Sequence, residues 1–403
     1  MIPLEEAQQH ILDRVAPGPP VTVPIVDAAG LVLAAGVTAG ETVPPFDNTA
    51  MDGFALRAAD TVGAADGAPV RLTVVGTSAA GGRPGAEVGP GEAIRIMTGA
   101  PMPPGADAVV MVERTELSAD GATVDVALQV DPGSHVRRSG EDIEVGDRLF
   151  EAGTVLRAGR LGVLASVGIT DASVIPRPRV GVVSTGDELV DDGGPLEPGQ
   201  IRDSNRLTLL TLLAESGFEG VDLGIAPDTE SAIEAAFRDG VDRCDAILSS
   251  GGVSMGAFDY VKVVLDRIGD MRWMQIAIKP AKPFAFGTVD GVPVFGLPGN
   301  PVSSMVSYEL LARPALRRMA GHEVVHRPTT TAVTDDDLGH RPDGKTHFLR
   351  VTVTDEGDGR RRVARAGGQG SHQLAAMAAA DALAVVPDGV AAAGDTVRII
   401  PLV

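Results

Sequence analysis

Val180-Gly181-Val182-Val183-Ser184-Thr185-Gly186-Asp187-Glu188-Leu189 decides the fold. Val180 to Val183 is a continuous apolar run, as expected of a strand buried on both faces, and it breaks at once into a polar loop carrying hydroxyls and two adjacent carboxylates. The same grammar returns downstream. A helical pattern over Leu207 to Ala214 ends at Gly217, Val221 to Ile225 reads as a second strand, and Ile233, Ala236 and Phe237 recur at helical spacing in a helix from about Thr229, with Asp228 as its expected N-cap. Ala246 to Leu248 is a third buried strand. Asp290-Gly291, between Phe284 to Val289 and Val292 to Leu297, predicts a hairpin at the sheet edge, and a helix follows Pro301. Strands alternating with helices predict a doubly wound, mostly parallel sheet that binds its ligand outside the carboxyl ends of the strands.

Three loops at those ends carry the chemistry. Ser249-Ser250-Gly251-Gly252-Val253-Ser254-Met255-Gly256 follows the third strand directly, and glycines there let backbone N–H groups converge on a phosphate while the serines add neutral donors. A flexible turn is the plainer reading, made less apt by four small residues in a row after a parallel strand. Thr185, Gly186 and Asp187 are candidate substrate-binding residues of the first loop. The adjacent carboxylates of Asp187 and Glu188, beside its hydroxyls, are hard oxygens suited to Mg²⁺, which keeps water and substrate phosphate among its ligands and needs few carboxylates. Asp228 and Asp259 fall at similar junctions, although each alone reads as a cap. Lys279 and Lys282, in Ile278-Lys279-Pro280-Ala281-Lys282-Pro283, would neutralise phosphate as point charges, and Pro298-Gly299-Asn300 closes a further strand.

Gly252 to Gly256 is also a literal G-x-S-x-G, the pattern of a hydrolase nucleophile elbow around Ser254. That reading fits poorly. Two glycines lead into the turn, and His322, His326, His340, His347 and His372 all fall in linker or β segments with no evident route to Ser254.

The rest of the 403-residue chain supports several folding units. Leu4, Ala7, Ile11, Leu12 and Val15 form one face of a short helix that stops at Pro17-Gly18-Pro19-Pro20. Short β-prone runs such as Val70 to Gly76 and Ala108 to Arg114 follow, with a helix over Ala158 to Ser166 and a linker at Ile175-Pro176-Arg177-Pro178. Beyond Gly321 the pattern returns to β, with Phe348 to Thr354, Thr396 to Val403 and a helix-prone Gln373 to Ala379. A formal charge of −20 argues against nucleic acid or an anionic membrane as partner. Met1 to Asp13 carries Glu5 and Glu6 and lacks an apolar core, so it predicts neither signal peptide nor membrane span, and the expected location is cytoplasmic. Cys244 is the only cysteine, which excludes an intrachain disulfide and a thiolate metal cluster. The His322/His326 pair lacks a third ligand for zinc.

Taken together in chain order, PPFDNTAMDGFA, IMTGAPMPPGADAVV, SGEDI, VVSTGDEL, IRDSN, SSGGVSMGAFDY, KPAKP and GLPGNP resemble the molybdopterin molybdenumtransferase family, which includes MoeA and the gephyrin E domain. The resemblance spans essentially the whole chain. It implies a multidomain α/β plus β protein: a discontinuous N-terminal linker and dimerisation domain of residues 1–45 and 143–176, a small β-rich domain of 46–142, a molybdopterin-binding α/β domain of 177–325, and a C-terminal β domain of 326–403. It further implies Mg²⁺-dependent insertion of molybdate into adenylylated molybdopterin, with release of AMP. By resemblance, Glu188, Asp228 and Asp259 would hold metal and pyrophosphate, Lys279 and Lys282 would neutralise phosphate or molybdate, and Ser249 to Gly256 would seat the pterin's phosphate. Asp52, Thr98 and Asp142 match site positions contributed by the other subunit of a homodimer, and Ser371 matches one in the terminal domain. Ala281 stands where the family commonly has glycine.

Three other functions compete. The preceding enzyme of the same route, molybdopterin adenylyltransferase, resembles the α/β domain alone. A non-catalytic scaffold is suggested by the receptor-clustering relative, but this chain has no fused second domain of that kind. The hydrolase is the third. Further expected partners are that adenylyltransferase and the molybdoenzymes that accept the product.

Overall fold

A computed structural model describes residues 1–83, 86–253, 260–357, 359–389 and 391–402. The decisive stretch forms β1 (Arg179–Thr185). It is followed by α1 (Ser204–Glu215), β2 (Glu219–Ala226), α2 (Glu230–Arg243), β3 (Ala246–Ser250), α3 (Tyr260–Ile268), β4 (Gly269–Gln275), β5 (Pro283–Val289), β6 (Val292–Leu297) and α4 (Pro301–Ser307). The six strands lie in the order β2-β1-β3-β6-β5-β4, parallel from β2 to β6 and antiparallel from there to β4.

Strand alternation explains how the sheet is covered on both faces. Val182 and Leu248 pack with Leu209 and Leu213 of α1 on one side. Val183 and Ile247 pack with Ile233 and Phe237 of α2 and Val264 and Leu265 of α3 on the other. Each fully buried Leu, Ile or Phe of this kind contributes about 1.5–3 kcal/mol.

Two local expectations are corrected. The Asp290-Gly291 hairpin is not the sheet edge, because β4 pairs outside it in full antiparallel register from Gly269↔Val289 to Gln275↔Pro283. Thr229, rather than Asp228, caps α2, its hydroxyl accepting from the Ala232 N–H at 3.3 Å. A hydroxyl at that position satisfies one of the helix's orphan donors, which leaves Asp228 outside the helix and turned to other use. The Ala108 run also ends as a strand at Met111, with Val112–Arg114 forming a single 3₁₀ turn.

Outside the α/β unit, the N-terminal helix Leu4–Leu12 buries Ala7 and Ile11 in the core of the α/β sheet. A six-stranded sheet spans Gly53–Leu56 to Thr123–Val126. Three short strands, Val21–Pro24, Val32–Leu33 and Asp171–Ile175, pair around the linker helix Ala158–Ser166. At the C-terminus, strands Thr330–Thr334, Thr346–Asp355, Arg361–Arg365, Ala382–Val386 and Thr396–Pro401 close on themselves, since Thr346–Asp355 pairs with Arg361–Arg365 and with Ala382–Val386. Ile278–Lys279 adds to this barrel in parallel, with Lys279 opposite His347.

Ala281 stands in a backbone conformation that suits glycine. Its φ is +76° and it is 2% exposed, packed in the main core. A Cβ in left-handed backbone costs about 1–2 kcal/mol, against roughly 0.5–1 kcal/mol of extra entropy lost by glycine on folding. We expect Ala281→Gly to raise the chemical-denaturation midpoint by up to about 1 kcal/mol of stability. A lower midpoint would contradict the conformation.

Candidate functional site

A cleft of about 730 Å³ opens at the carboxyl ends of β1, β3 and β6, where the chain leaves β1 toward β2 on one side and returns to β3 on the other. Thr185, Gly186 and Glu188 line it from the first loop, Asp228 from the end of β2, Ser250, Gly251 and Gly252 from the glycine loop, and Gly299 and Asn300 from the turn before α4.

A buried polar network sets the cleft's back wall. The Asp203 side chain is 1% exposed and accepts from the Ser184 hydroxyl at 3.1 Å, the Arg206 N–H at 3.2 Å and the Arg206 guanidinium at 3.0 Å. This caps α1 and ties its first turn to the end of β1. Arg206 also pairs with Asp191 and Asp222. Burial opposes its charge, but Asp222 and Asp203 outweigh it and raise the guanidinium's pKa. The Asp222 carboxyl, also partly buried, is held low by Arg206 and the Gly224 N–H.

From that fixed turn Asn205 reaches across the cleft. Its Nδ2 donates to the Ser250 hydroxyl at 2.8 Å and to the Gly299 carbonyl at 2.7 Å. The carbonyl can only accept, which fixes the amide's orientation and leaves its oxygen as an acceptor. With the Ser250 oxygen taken by Asn205, the serine retains a hydroxyl hydrogen to donate to a ligand.

The glycine loop is held from behind as well. The Gly251 N–H donates to Leu297 O at 3.0 Å, so this amide secures the loop to β6 instead of facing the cleft. Gly252 has φ +71°, and a Cβ there would lie 2.3 Å from the Val261 side chain in the first turn of α3. Ser249 is fully buried, its hydroxyl 3.4 Å from Gly251 O, because successive residues of a strand face opposite ways and Ser250 takes the side facing the cleft. Opposite, Asp187 accepts from the Asp228 N–H at 3.0 Å, which joins the two acidic loops at the cleft that Glu188 and Asp228 both line. The carboxylates of Glu188 and Asp228 at this rim are hard oxygen donors, the chemistry that Mg²⁺ takes. Ser254, Gly256 and Asp259 lie outside the described residues.

The other sequence candidates sit elsewhere in the chain. Lys279 and Pro280 line a separate cavity of about 160 Å³ against the C-terminal barrel, together with His340, His347, Arg350 and Arg365, while Lys282 is exposed on the same loop. Ser371 is not among the residues lining the cleft, but its carbonyl accepts from the Val302 N–H of α4 at 3.1 Å. Asp52 accepts from the Thr98 N–H and hydroxyl, both at 2.7 Å, and these two bonds hold its carboxyl below the usual range. The adjoining Gly53 is needed because a Cβ would fall 2.0 Å from Val110 O of the neighbouring strand. Asp142, exposed, donates its N–H to Val43 O. None of Asp52, Thr98 and Asp142 lines the cleft within one chain. Cys244 is buried and its thiol is pushed up by desolvation, consistent with packing.

Asn205, Asp203 and Tyr260 line the cleft but were not singled out among the sequence candidates. Asn205 and Asp203 occurred only within the IRDSN string, and a helix-start reading of Asp203 could have flagged the turn.

Comparison with known proteins covers the whole chain. The family model described as MoeA N-terminal region (domain I and II) matches residues 2–168, that described as probable molybdopterin binding domain matches 181–318, and that described as MoeA C-terminal region (domain IV) matches 332–402. Molybdopterin molybdenumtransferase of Haemophilus influenzae is 38% identical over 406 residues, covering 100% of this chain and 98% of that protein. Molybdopterin molybdenumtransferase 2 of Mycobacterium tuberculosis is 39% identical over 393 residues, 96% of each chain. The crystal structure of the molybdopterin biosynthesis moeA protein from Pyrococcus horikoshii OT3 superposes with a TM-score of 0.83 at 30% identity, covering 100% of both chains.

Replacing Gly252 with alanine would push the glycine loop off Val261. We expect Gly252→Ala to cost about 1–3 kcal/mol in thermal stability. An unchanged melting temperature would mean that the loop does not pack on α3.

Proposed function

The chain belongs to the molybdopterin molybdenumtransferase family, and from that premise we propose that the cleft at the carboxyl ends of β1, β3 and β6 is where adenylylated molybdopterin is seated for Mg²⁺-dependent exchange of AMP for molybdate. The protein is an enzyme of molybdenum cofactor biosynthesis that inserts molybdenum. The single observation that carries the site assignment is the pairing, across one 730 Å³ cleft, of carboxylates at Glu188 and Asp228 with hydroxyl and amide groups at Ser250 and Asn205.

Each group has a defined task. Ser250 donates its hydroxyl hydrogen to a phosphate oxygen, while Asn205 holds the glycine loop and the Gly299 turn at fixed separation and offers its amide oxygen to a ligand N–H or O–H. Glu188 and Asp228 would hold Mg²⁺, which would neutralise charge developing on the pyrophosphate as its link is cleaved. Without a cation, the carboxylates and the ligand's phosphates would repel one another.

Asp52, Thr98 and Asp142 support a homodimer with a shared site, because they carry the family's pattern yet lie away from the cleft of their own chain. Sedimentation should then give about twice the chain mass of 41.3 kDa. A cytoplasmic location accords with the lack of any helix, among the described residues, long and apolar enough to cross a membrane. Hand-over from the adenylyltransferase and onward to molybdoenzymes belongs to the same proposal.

The test is AMP release from adenylylated molybdopterin in the presence of molybdate and Mg²⁺. Removal of Mg²⁺ by a chelator should abolish release, and Glu188→Ala or Asp228→Ala should slow it by about a hundredfold or more, the order seen when one charge-stabilising group leaves a reacting site. Unchanged release in both variants would remove the cleft from consideration. Consumption of ATP with adenylylation of molybdopterin would instead establish the adenylyltransferase reading.

A further inference from the structure

We propose that His340, Asp343 and His347, at the rim of the C-terminal barrel, form a binding site for one divalent transition metal of the zinc type, separate from the Mg²⁺ cleft. Among the described residues this is the one group of three or more His, Cys, Asp or Glu side chains whose ligand atoms all lie within 4.8 Å of one another. Two imidazoles and a carboxylate are a donor set that suits zinc, nickel or copper and is ill suited to magnesium.

The groups behind the ligands are already in place. His340 Nδ1 lies 2.9 Å from Arg341 O. A carbonyl only accepts, so Nδ1 carries the hydrogen and Nε2 carries the free lone pair. That Nε2 is buried and has no hydrogen-bond partner. An imidazole donating through one nitrogen to a carbonyl while presenting the other is the usual arrangement of a metal-bound histidine. Both oxygens of Asp343 lie near His347 Nε2, Oδ1 at 3.3 Å and Oδ2 at 3.4 Å, and Oδ2 also takes Lys345 Nζ at 2.7 Å, so Oδ1 is the oxygen without a lysine partner. The N–H groups of Asp343 and Gly344 donate to Asp388, which fixes the loop carrying the carboxylate. His347 itself is 5% exposed and stands on the barrel strand Thr346–Asp355.

The two rings lie close together. His340 and His347 stack with centroids 3.4 Å apart and an interplanar angle of 2°. Imidazole lone pairs lie in the ring planes, so two parallel rings do not converge on one ion as they stand, and binding requires one ring to turn and His347 Nε2 to exchange its contact with Asp343 for the metal. The adjoining 160 Å³ cavity leaves room for water to complete the coordination. Two lysines oppose the ion's charge, Lys345 paired with Asp343 and Lys279 opposite His347 in the barrel register, and both lower affinity without occupying a histidine ligand atom.

The site is tested by titrating the full-length, chelator-stripped protein with Zn²⁺ alone, and with Co²⁺ alone while following its visible absorption. We expect one equivalent to bind with a tetrahedral cobalt spectrum. His340→Gln, on a loop and half-buried, and Asp343→Asn should each weaken binding by roughly 10–100-fold, with circular dichroism unchanged. Absence of stoichiometric binding overturns the proposal. So does affinity that survives both substitutions, or affinity lost in Glu188→Ala and Asp228→Ala, which would place the ion in the cleft. Metal titration is read without turnover, so its result stands apart from that of the AMP-release assay.

Discussion

The cleft depends on the Asp203 carboxylate. With 1% of its side chain exposed, it takes three hydrogen bonds, from Ser184, the Arg206 amide and the Arg206 guanidinium, and so locks the end of β1 to the start of α1. A buried charge is tolerated only when paired and hydrogen-bonded, and here Arg206 supplies the opposite charge and two of the hydrogen bonds while Ser184 supplies the third. Breaking the pair would free more than a helix cap. The turn that aims Asn205 at Ser250 and Gly299 would lose its anchor, and the three ligand loops would part.

Much of this architecture was legible in the sequence, and the reasons are local. β1 and β3 could be read because each is a continuous apolar run that ends abruptly in hydroxyls and glycine. β4 escaped although Gly269–Gln275 alternates Asp270 and Arg272 with apolar residues as a half-buried edge strand does, because the run is short and only its pairing with β5 makes it the sheet's edge. Asn205 escaped for a different reason: its partners lie 45 and 94 residues away, and no local pattern encodes that meeting. Ser249 and Ser250 were indistinguishable as letters, and the pleat assigned them opposite faces.

The lysine loop shows a limit of another kind. Lys279 and Lys282 suggested a cation pair beside the glycine loop, but Ile278–Lys279 is hydrogen-bonded into the C-terminal barrel and shares a cavity with Arg350, whose side chain is fully buried and donates only to the Gly368 and Gly370 carbonyls. Burial lowers the pKa of Arg350, with no carboxylate to offset it.

The strand Ile278–Lys279 has a bearing on synthesis at the ribosome. All six strands of the α/β sheet are made before Thr346 emerges, yet Ile278 and Lys279 have no barrel strand to join until then. During that interval the nascent chain carries an unpaired backbone segment beside a finished sheet, an opening for mispairing between neighbouring chains. Pro280 and Pro283, both just after this segment, withhold N–H donors there and limit how far such a stray pairing could run toward the C-terminus.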